Sequence, residues 1–261
     1  LDFISLRGPA SFDEIPPLDA RYAGPESRAR TVTVLGSSKS VDPIKEQVAL
    51  SAAVSGELVR RGYNVLTGAG NAGVMGAAYG AAAESANAPS ASPRGENLVI
   101  AVRPAWGDEN LADARAVGLA DSEAERIEKF GKVSDSFLIF PGSAGSIQEA
   151  ATLIAKNAYR GKEALKRIIL VGRDFFGGLS EQYRRLYADG LLKDRPEALF
   201  RVVDTAEEAL AGFAPLDGAV ARVPEPAPYS APRAFADGAR SWLASSGAAF
   251  DAKNSEWAAW T

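Results

Sequence analysis

The chain lacks both cysteine and histidine in all of its 261 residues. Without cysteine there are no disulfides, thiolate metal sites or thiol nucleophiles. Without histidine there is no Ser-His-Asp triad, no imidazole acid–base catalysis and no histidine-ligated metal. Any catalysis must therefore use carboxylates, amines, guanidinium groups, hydroxyls or backbone amides, and we expect neither a metal nor a cofactor.

Long apolar runs and strong charge of one sign are also absent. No stretch approaches the roughly 20 apolar residues that span a bilayer, so we expect no membrane partner. The 29 basic and 33 acidic residues give a net charge of -4, with no long basic run of the kind that binds nucleic acid. We expect a cytoplasmic protein that binds neither nucleic acid nor membrane.

Short apolar runs alternate with helical segments along most of the chain. Strands are predicted over 31–36, 63–68, 97–104, 136–142, 166–172 and 198–204. Asp42 is predicted as a helix N-cap before Pro43, and residues 107–121 as a long loop or short helical piece. The alternation predicts an α/β fold, a Rossmann-like, doubly wound parallel sheet of six to seven strands, with irregular terminal extensions.

Three regions are predicted from composition. Residues 1–30 form an irregular arm, 31–213 a nucleotide-binding or catalytic domain, and 214–261 a Pro/Ala-rich extension. The extension carries Trp242, Trp257 and Trp260. Because exposed tryptophan is unusual, we expect this tail to dock on its own domain or on a partner subunit.

The first of two glycine-rich loops follows the predicted strand 63–68 and matches GxGxxG. Its candidate ligand-binding residues are Gly68, Gly70, Gly73, Met75 and Gly76. Such glycines also serve close helix–strand packing. NAD is disfavoured, because the next strand ends in Arg103 and Pro104 rather than in an acidic residue. An NADP-linked enzyme stays a weaker hypothesis.

The second loop, after the predicted strand 136–142, opens a helix. Backbone amides and the helix dipole favour an anion there, and a third small loop after strand 31–36 lies at the same sheet edge. The candidate phosphate-binding residues of these two loops are Pro141, Gly142, Ser143, Ala144, Gly145, Ser146, Gly36, Ser37 and Ser38. The spacing of Ser146 and Glu149 fits a capping box as well as a catalytic carboxylate, and a lone arginine such as Arg126 is most often a surface charge.

The motifs TGAGNAGVMGAA and PGSAGSIQEA together resemble those of the LONELY GUY (LOG) family, often labelled "possible lysine decarboxylase". The resemblance spans about residues 31–213. It implies hydrolysis of the N-glycosidic bond of a nucleoside 5′-monophosphate, of the AMP or N6-modified AMP type, releasing the base and ribose 5-phosphate. It also implies a catalytic pair, Arg126 and Glu149, and a homodimer or larger homo-oligomer.

The chain departs from the family pattern at Ala69, Ile127, Ser143 and Ser146. The departures at Ile127 and Ser143 motivate the alternative of a non-catalytic nucleotide-binding carrier or sensor. Decarboxylation of lysine requires a Schiff-base lysine and pyridoxal phosphate. No lysine in the sequence is singled out for that role, so we do not expect this activity.

Overall fold

A computed structural model describes residues 14–90, 93–103, 111, 113–160 and 164–216. The chain divides into two units, Leu1–Val220 and Ala221–Thr261, and all described residues belong to the first. The predicted tryptophan-bearing tail, with Trp242, Trp257 and Trp260, lies outside the described residues.

Seven strands form one sheet in which every neighbouring pair is parallel. They are β1 (Thr31–Leu35), β2 (Asn64–Thr67), β3 (Asn97–Val102), β4 (Arg115–Ala120), β5 (Ser136–Ile139), β6 (Arg167–Val171) and β7 (Arg201–Val203). Their order is β4-β3-β2-β1-β5-β6-β7. The chain therefore builds outward from β1 in one direction and then returns to build outward in the other, which confirms the doubly wound Rossmann-like prediction.

Eight α-helices accompany these strands in the described part of the chain. They are α1 (Pro25–Arg30), α2 (Lys45–Arg60), α3 (Gly73–Asn87), α4 (Glu123–Val133), α5 (Ala144–Ala158), α6 (Arg173–Ala188), α7 (Pro196–Leu199) and α8 (Ala206–Leu210). Short 3₁₀ turns cover Ala20–Tyr22 and Asp42–Ile44. Most strands are followed by a helix after a short loop, as parallel pairing requires.

The β-branched strands are buried on both faces. All five residues of β1 and all four of β2 are buried, which is the pattern of a parallel sheet covered by helices on both sides. On one face, Val32 and Val34 of β1 join a core cluster with apolar residues of α2, α3 and α8. This packing holds the carboxyl ends of the central strands in place.

Near its end the arm includes one short helix, α1, with Pro25 at its first position. Two local predictions were wrong. Residues 115–120, expected in a loop, form β4, whose alanines and glycine have little strand propensity. Asp42 begins a 3₁₀ turn rather than capping α2, and no side chain caps that turn.

The part of the arm at residues 16–19 covers the edge strand β4. Leu18 forms an antiparallel bridge with Gly118, and the amide of Asp19 donates to the carbonyl of Val117 at 2.7 Å. The amide of Leu119 in turn donates to the carbonyl of Pro16 at 3.1 Å. The arm thus occupies hydrogen-bonding groups that an edge strand would otherwise expose.

Candidate functional site at the carboxyl edge of the sheet

Three loops meet where the strand order reverses, between β1 and its neighbours β2 and β5. The amide of Ser37, after β1, donates to the carbonyl of Pro141, after β5, at 3.1 Å. The carbonyl of Ser37 accepts from the amide of Met75 at 3.2 Å. A ligand crevice in a doubly wound sheet lies at this reversal, so the fold brings the predicted loops together at the expected edge.

The loop after β5 leads directly into α5 and leaves the start of that helix open. Ser143 is the N-cap, in an extended conformation, and its side chain makes no capping bond. Ser146 and Ile147 donate their amides to the carbonyl of Ser143. In the described part of the chain no hydrogen bond uses the amides of Ala144 and Gly145, and Ser143, Ala144 and Gly145 are all exposed.

These features make the start of α5 suited to an anion. The first amides of a helix point outward and carry its positive dipole end. Among the described residues outside the backbone of α5, a Cβ at Gly145 would have only the Ser143 hydroxyl within 4 Å, at 3.8 Å, so a ligand can reach the backbone there. The Gly142 position differs: a Cβ would lie 2.7 Å from the Ser37 amide and would also collide with Ser146, so that glycine allows the β1 and β5 loops to touch.

The first glycine-rich loop is filled by the protein itself. Gly73 has φ +61°, and a Cβ there would lie 2.5 Å from the carbonyl oxygens of Ser37 and Lys39. A Cβ at Gly70 would lie 2.8 Å from Met75 Cε, and one at Gly76 would lie 2.5 Å from the Asn71 carbonyl oxygen. The amide of Gly73 donates to Ser40 Oγ at 3.1 Å. Internal packing therefore accounts for these glycines. The amides of Gly73 and Met75, which a dinucleotide phosphate would need at this helix start, are already bonded within the protein.

Glu149 lies on α5, beyond its first turn, with 8% of the residue exposed. The predicted capping box of Ser146 and Glu149 is wrong, because α5 begins before Ser146 and has no side-chain cap. Among the described residues, no hydrogen bond or ion pair to the Glu149 carboxyl is seen. Burial raises the pKa of Glu149 to about 7, against a lowering by the charge of Arg126 and with a further raise from Glu123.

Arg126 lies on α4 and is almost as buried, with 8% exposed. Its Nη1 donates to the carbonyl of Gly68 at 3.0 Å. A Cβ at Gly68 would sit 3.0 Å from that nitrogen and 3.1 Å from Cζ. Glycine at this position thus allows the guanidinium to lie against the end of β2, which links the first glycine-rich loop to the predicted catalytic pair.

Two ion pairs between side chains of α4 were not predicted from the sequence. Glu123 Oε2 accepts from Arg126 Nη2 at 2.6 Å. Lys129, the one buried lysine among the described residues, bonds the Leu119 carbonyl and pairs with Glu125 at 2.8 Å. The i,i+3 and i,i+4 spacing on a helix was the available signal, but such pairs are common on exposed helices and do not by themselves indicate a site.

The predicted site residues fall into two sets by exposure. Ser143, Ala144 and Gly145 are exposed, and Ser38, Gly76 and Gly142 are partly exposed. The others are buried: Gly36, Ser37, Gly68, Gly70, Gly73, Met75, Arg126, Pro141, Ser146 and Glu149. The fold gathers them around the β1, β2 and β5 ends, and a ligand approaching from solvent meets the α5 end first.

The described residues contain no cluster of three or more carboxylates that would hold a metal ion. Over the same ranges, no helix combines the length and apolar character needed to cross a bilayer. At the carboxyl edge of the sheet, the described residues offer a buried carboxyl, a buried guanidinium and exposed backbone amides.

Comparison with known proteins gives one family and several structures of like fold. The family described as "Possible lysine decarboxylase" matches residues 75–213, more than half of the chain. No curated protein matches the chain in sequence.

Among solved structures, a molybdenum cofactor binding protein from Rippkaea orientalis is 20% identical, with a TM-score of 0.49, over 70% of this chain and 94% of that one. A molybdenum cofactor carrier protein from Chlamydomonas reinhardtii is 18% identical, with a TM-score of 0.46, over 70% and 95%. Identity at this level concerns the fold and not the ligand.

Proposed function

The chain belongs to the LOG-like family described as "Possible lysine decarboxylase", and on that premise we propose that it hydrolyses the N-glycosidic bond of a nucleoside 5′-monophosphate. The products are the free base and ribose 5-phosphate. One observation carries the proposal: a buried carboxyl, Glu149, without a hydrogen-bond partner among the described residues, lies on the helix whose first amides are open to an anion.

The 5′-phosphate is assigned to the start of α5. The amides of Ala144 and Gly145 supply two donors at the positive end of the helix dipole, and the hydroxyl of Ser143 stands beside them. Hydrogen bonds to a charged acceptor are stronger than neutral ones. Phosphate binding here fixes the nucleotide at the mouth of the crevice, with its ribose directed inward.

Glu149 acts on the reacting sugar. As the bond between C1′ and the base nitrogen breaks, positive charge develops on the ribose, as in glycoside cleavage. The carboxylate stabilises that charge and takes a proton from the water that attacks C1′, so that the hydroxyl of this water ends on C1′. Glu149 then passes the proton on through solvent to the departing base, which leaves in its protonated form. A pKa of about 7 suits a base that works near neutral pH.

Arg126 contributes positive charge and a planar set of donors. A guanidinium binds phosphate oxygens or ribose hydroxyls through paired hydrogen bonds. Its charge acts on Glu149, and its Nη1 is held on Gly68. We assign it the orientation of the nucleotide rather than proton transfer, because an arginine stays protonated in proteins.

The test is incubation of the protein with AMP and with N6-substituted AMP, followed by chromatography of base and ribose 5-phosphate. We expect turnover to fall roughly 10²- to 10⁴-fold in Glu149→Gln, and strongly in Arg126→Ala. Glu181→Gln is the matched control, because Glu181 is an exposed glutamate on α6. Wild-type turnover in both site variants would refute their roles.

A non-catalytic nucleotide-binding carrier or sensor is the second candidate. One observation favours it: Ile127, where the family has a lysine, is buried with 3% exposed, so no cation stands next to Arg126 at that position. Calorimetry with AMP, read together with the chromatography, separates the two candidates. Tight binding without release of base would support the carrier.

A further inference from the structure

A cavity of about 630 Å³ lies beside β7, at one edge of the sheet. It is lined by residues of α6, α7, β7 and α8. None of its lining residues belongs to the candidate site around the ends of β1, β2 and β5. Because pockets that hold small ligands have volumes of this order, a small molecule can fit here.

One side of α6 forms a wall of the cavity. The residues that it contributes are Arg173, Gly177, Ser180 and Arg184. Their spacing of three and four residues places them on the same face of the helix. Among the described atoms outside the backbone of α6, none lies within 4 Å of a Cβ built at Gly177. The absence of a side chain at Gly177 therefore leaves space in the cavity that a ligand can occupy.

Apolar side chains also line the cavity. Pro196, Phe200 and Val203 are buried residues of this lining. The Phe200 ring packs edge-on against Tyr183, with 5.5 Å between the ring centroids. This apolar surface favours the ring or hydrocarbon chain of a ligand.

The charged residues of the lining leave an excess of positive charge, with three arginines against two glutamates. Glu208 is committed to the protein: its Oε1 accepts from Arg173 Nη2 at 3.2 Å, and its Oε2 accepts two backbone amides at the start of α8. Glu197 lies 3.8 Å from Arg184, and both side chains are more than half exposed, so this pair contributes little.

Arg201, at the start of β7, has no carboxylate partner among the described residues. It is exposed, and its Nη2 donates to the backbone carbonyl of Glu208 at 3.1 Å. That bond holds the guanidinium beside the cavity and leaves further N–H donors for a ligand. A guanidinium binds a carboxylate or a phosphate through paired hydrogen bonds.

We propose that this cavity binds a small organic anion, in which an apolar ring or chain carries one carboxylate or phosphate group. The acidic group pairs with Arg201, Arg184 adds positive charge, and the apolar part lies against Phe200 beside Gly177. A peptide strand fits this edge less well, because β7 has only three residues for main-chain pairing. The site is separate from the nucleotide site and independent of the activity proposed for it.

The experiment titrates benzoate and phenyl phosphate separately into the full, isotope-labelled chain and follows the backbone amide signals by NMR. We expect the signals of Gly177 and Val202 to move, and the acid with the higher affinity identifies the preferred acidic group. Benzyl alcohol, which has the ring without the charge, should bind roughly 10- to 100-fold more weakly. A response confined to the α5 start, at Gly145, would overturn the proposal.

Gly177→Leu and Gly178→Leu form a matched pair of variants. Both glycines are exposed on α6 and have space at the Cβ position, and leucine favours the helix at both, but only Gly177 lines the cavity. We expect Gly177→Leu to weaken binding of the acids at least about tenfold, because its side chain fills the space of the ligand. Unchanged binding in Gly177→Leu, or an equal loss in Gly178→Leu, overturns the proposal.

Arg201→Gln tests the pairing with the acidic group, and we expect affinity to fall roughly 10- to 100-fold. Arg185→Gln is its control, because Arg185 is an exposed arginine of α6 outside the cavity. Equal affinities in these two variants would overturn the assignment to Arg201. If the protein hydrolyses no AMP but binds the acids beside β7, the proposed function fails and this second site holds.

Discussion

The first amides of α3 are bonded within the protein, whereas those of α5 are not, although both helices follow a glycine-rich loop at the same sheet edge. At α3, Gly73 donates to Ser40 and Met75 donates to Ser37. At α5, the amides of Ala144 and Gly145 have no acceptor in the described part of the chain. Glycine content alone therefore does not tell a ligand-binding loop from a packing loop.

Helix α6 gives a third case at the same edge. Its first amide, on Arg173, donates to Asp204 Oδ1 at 2.7 Å, and the Arg173 side chain pairs with the same carboxylate. A carboxylate of the chain thus stands where an anionic ligand would bind. Of these three helix starts, only that of α5 has first amides without an acceptor among the described residues, so a ligand can bind them.

The largest effect is expected from Gly73→Ala, which tests whether the α3 loop is a packing device. The new Cβ would meet two backbone carbonyls at 2.5 Å at a residue with φ +61°, so we expect a loss of about 3 kcal/mol or more in the free energy of unfolding. Urea unfolding measures it. Gly80→Ala is the control, because no described atom outside the backbone of α3 lies within 4 Å of its Cβ position; it should stabilise the protein by about 0.5–1 kcal/mol.

Glu149→Gln tests the cost of keeping a buried carboxyl at the open α5 site. With a folded-state pKa of about 7, above the unfolded value, the folded protein binds more protons between these two pKa values, so stability falls as pH rises through that range. Glutamine does not ionise, so the variant lacks this pH-dependent fall in stability. Above pH 7 we expect its free energy of unfolding to exceed that of the wild type by up to about 3 kcal/mol. Thermal melts across pH should converge for both proteins at acidic pH. A wild-type stability that rises through this range relative to the variant would contradict the burial argument.

Ala144→Pro tests whether α5 amides bind the phosphate. Proline is tolerated at the first helical position, and the preceding Ser143 is extended, so the fold should be retained while one donor is lost. We expect AMP affinity to fall roughly 10- to 100-fold, since a hydrogen bond to a charged group contributes about 1.5–3 kcal/mol. Calorimetry compares it with Ala144→Ser, which keeps the amide. Equal affinities would place the phosphate elsewhere.

The smallest effect is expected at Ala69, the one non-glycine residue with positive φ, +64°, among those described. In Ala69→Gly, relief of backbone strain opposes loss of a buried methyl group, and the net change should stay below about 1 kcal/mol. Ala78→Gly, at a buried helical site, loses the methyl group without any relief of backbone strain. Its free energy of unfolding should therefore fall by about 1 kcal/mol more than that of Ala69→Gly. Equal losses in urea unfolding would show that Ala69 carries no strain.

Much of the fold was predictable because its signals are local. β-branched runs such as 31–35 and helix starts such as Ser122 depend on neighbours a few residues away. β4 was missed because alanine and glycine carry no strand signal, and its pairing partners lie in β3 and in the arm. The candidate site was predicted as a set of loops, while the roles of the individual glycines were not.

The amino-acid sequence by itself limited which chemistry is possible: without histidine or cysteine, carboxylates, amines, guanidinium groups, hydroxyls and backbone amides remain. It also determined the order of strands and helices, since these follow from hydrophobic periodicity. Only the tertiary structure decided that Arg126 pairs with Glu123 and rests on Gly68, and that Glu149 is buried without a hydrogen-bond partner among the described residues. Burial and pairing depend on groups far apart in the chain, and their energies arise only when the sheet brings its carboxyl ends together.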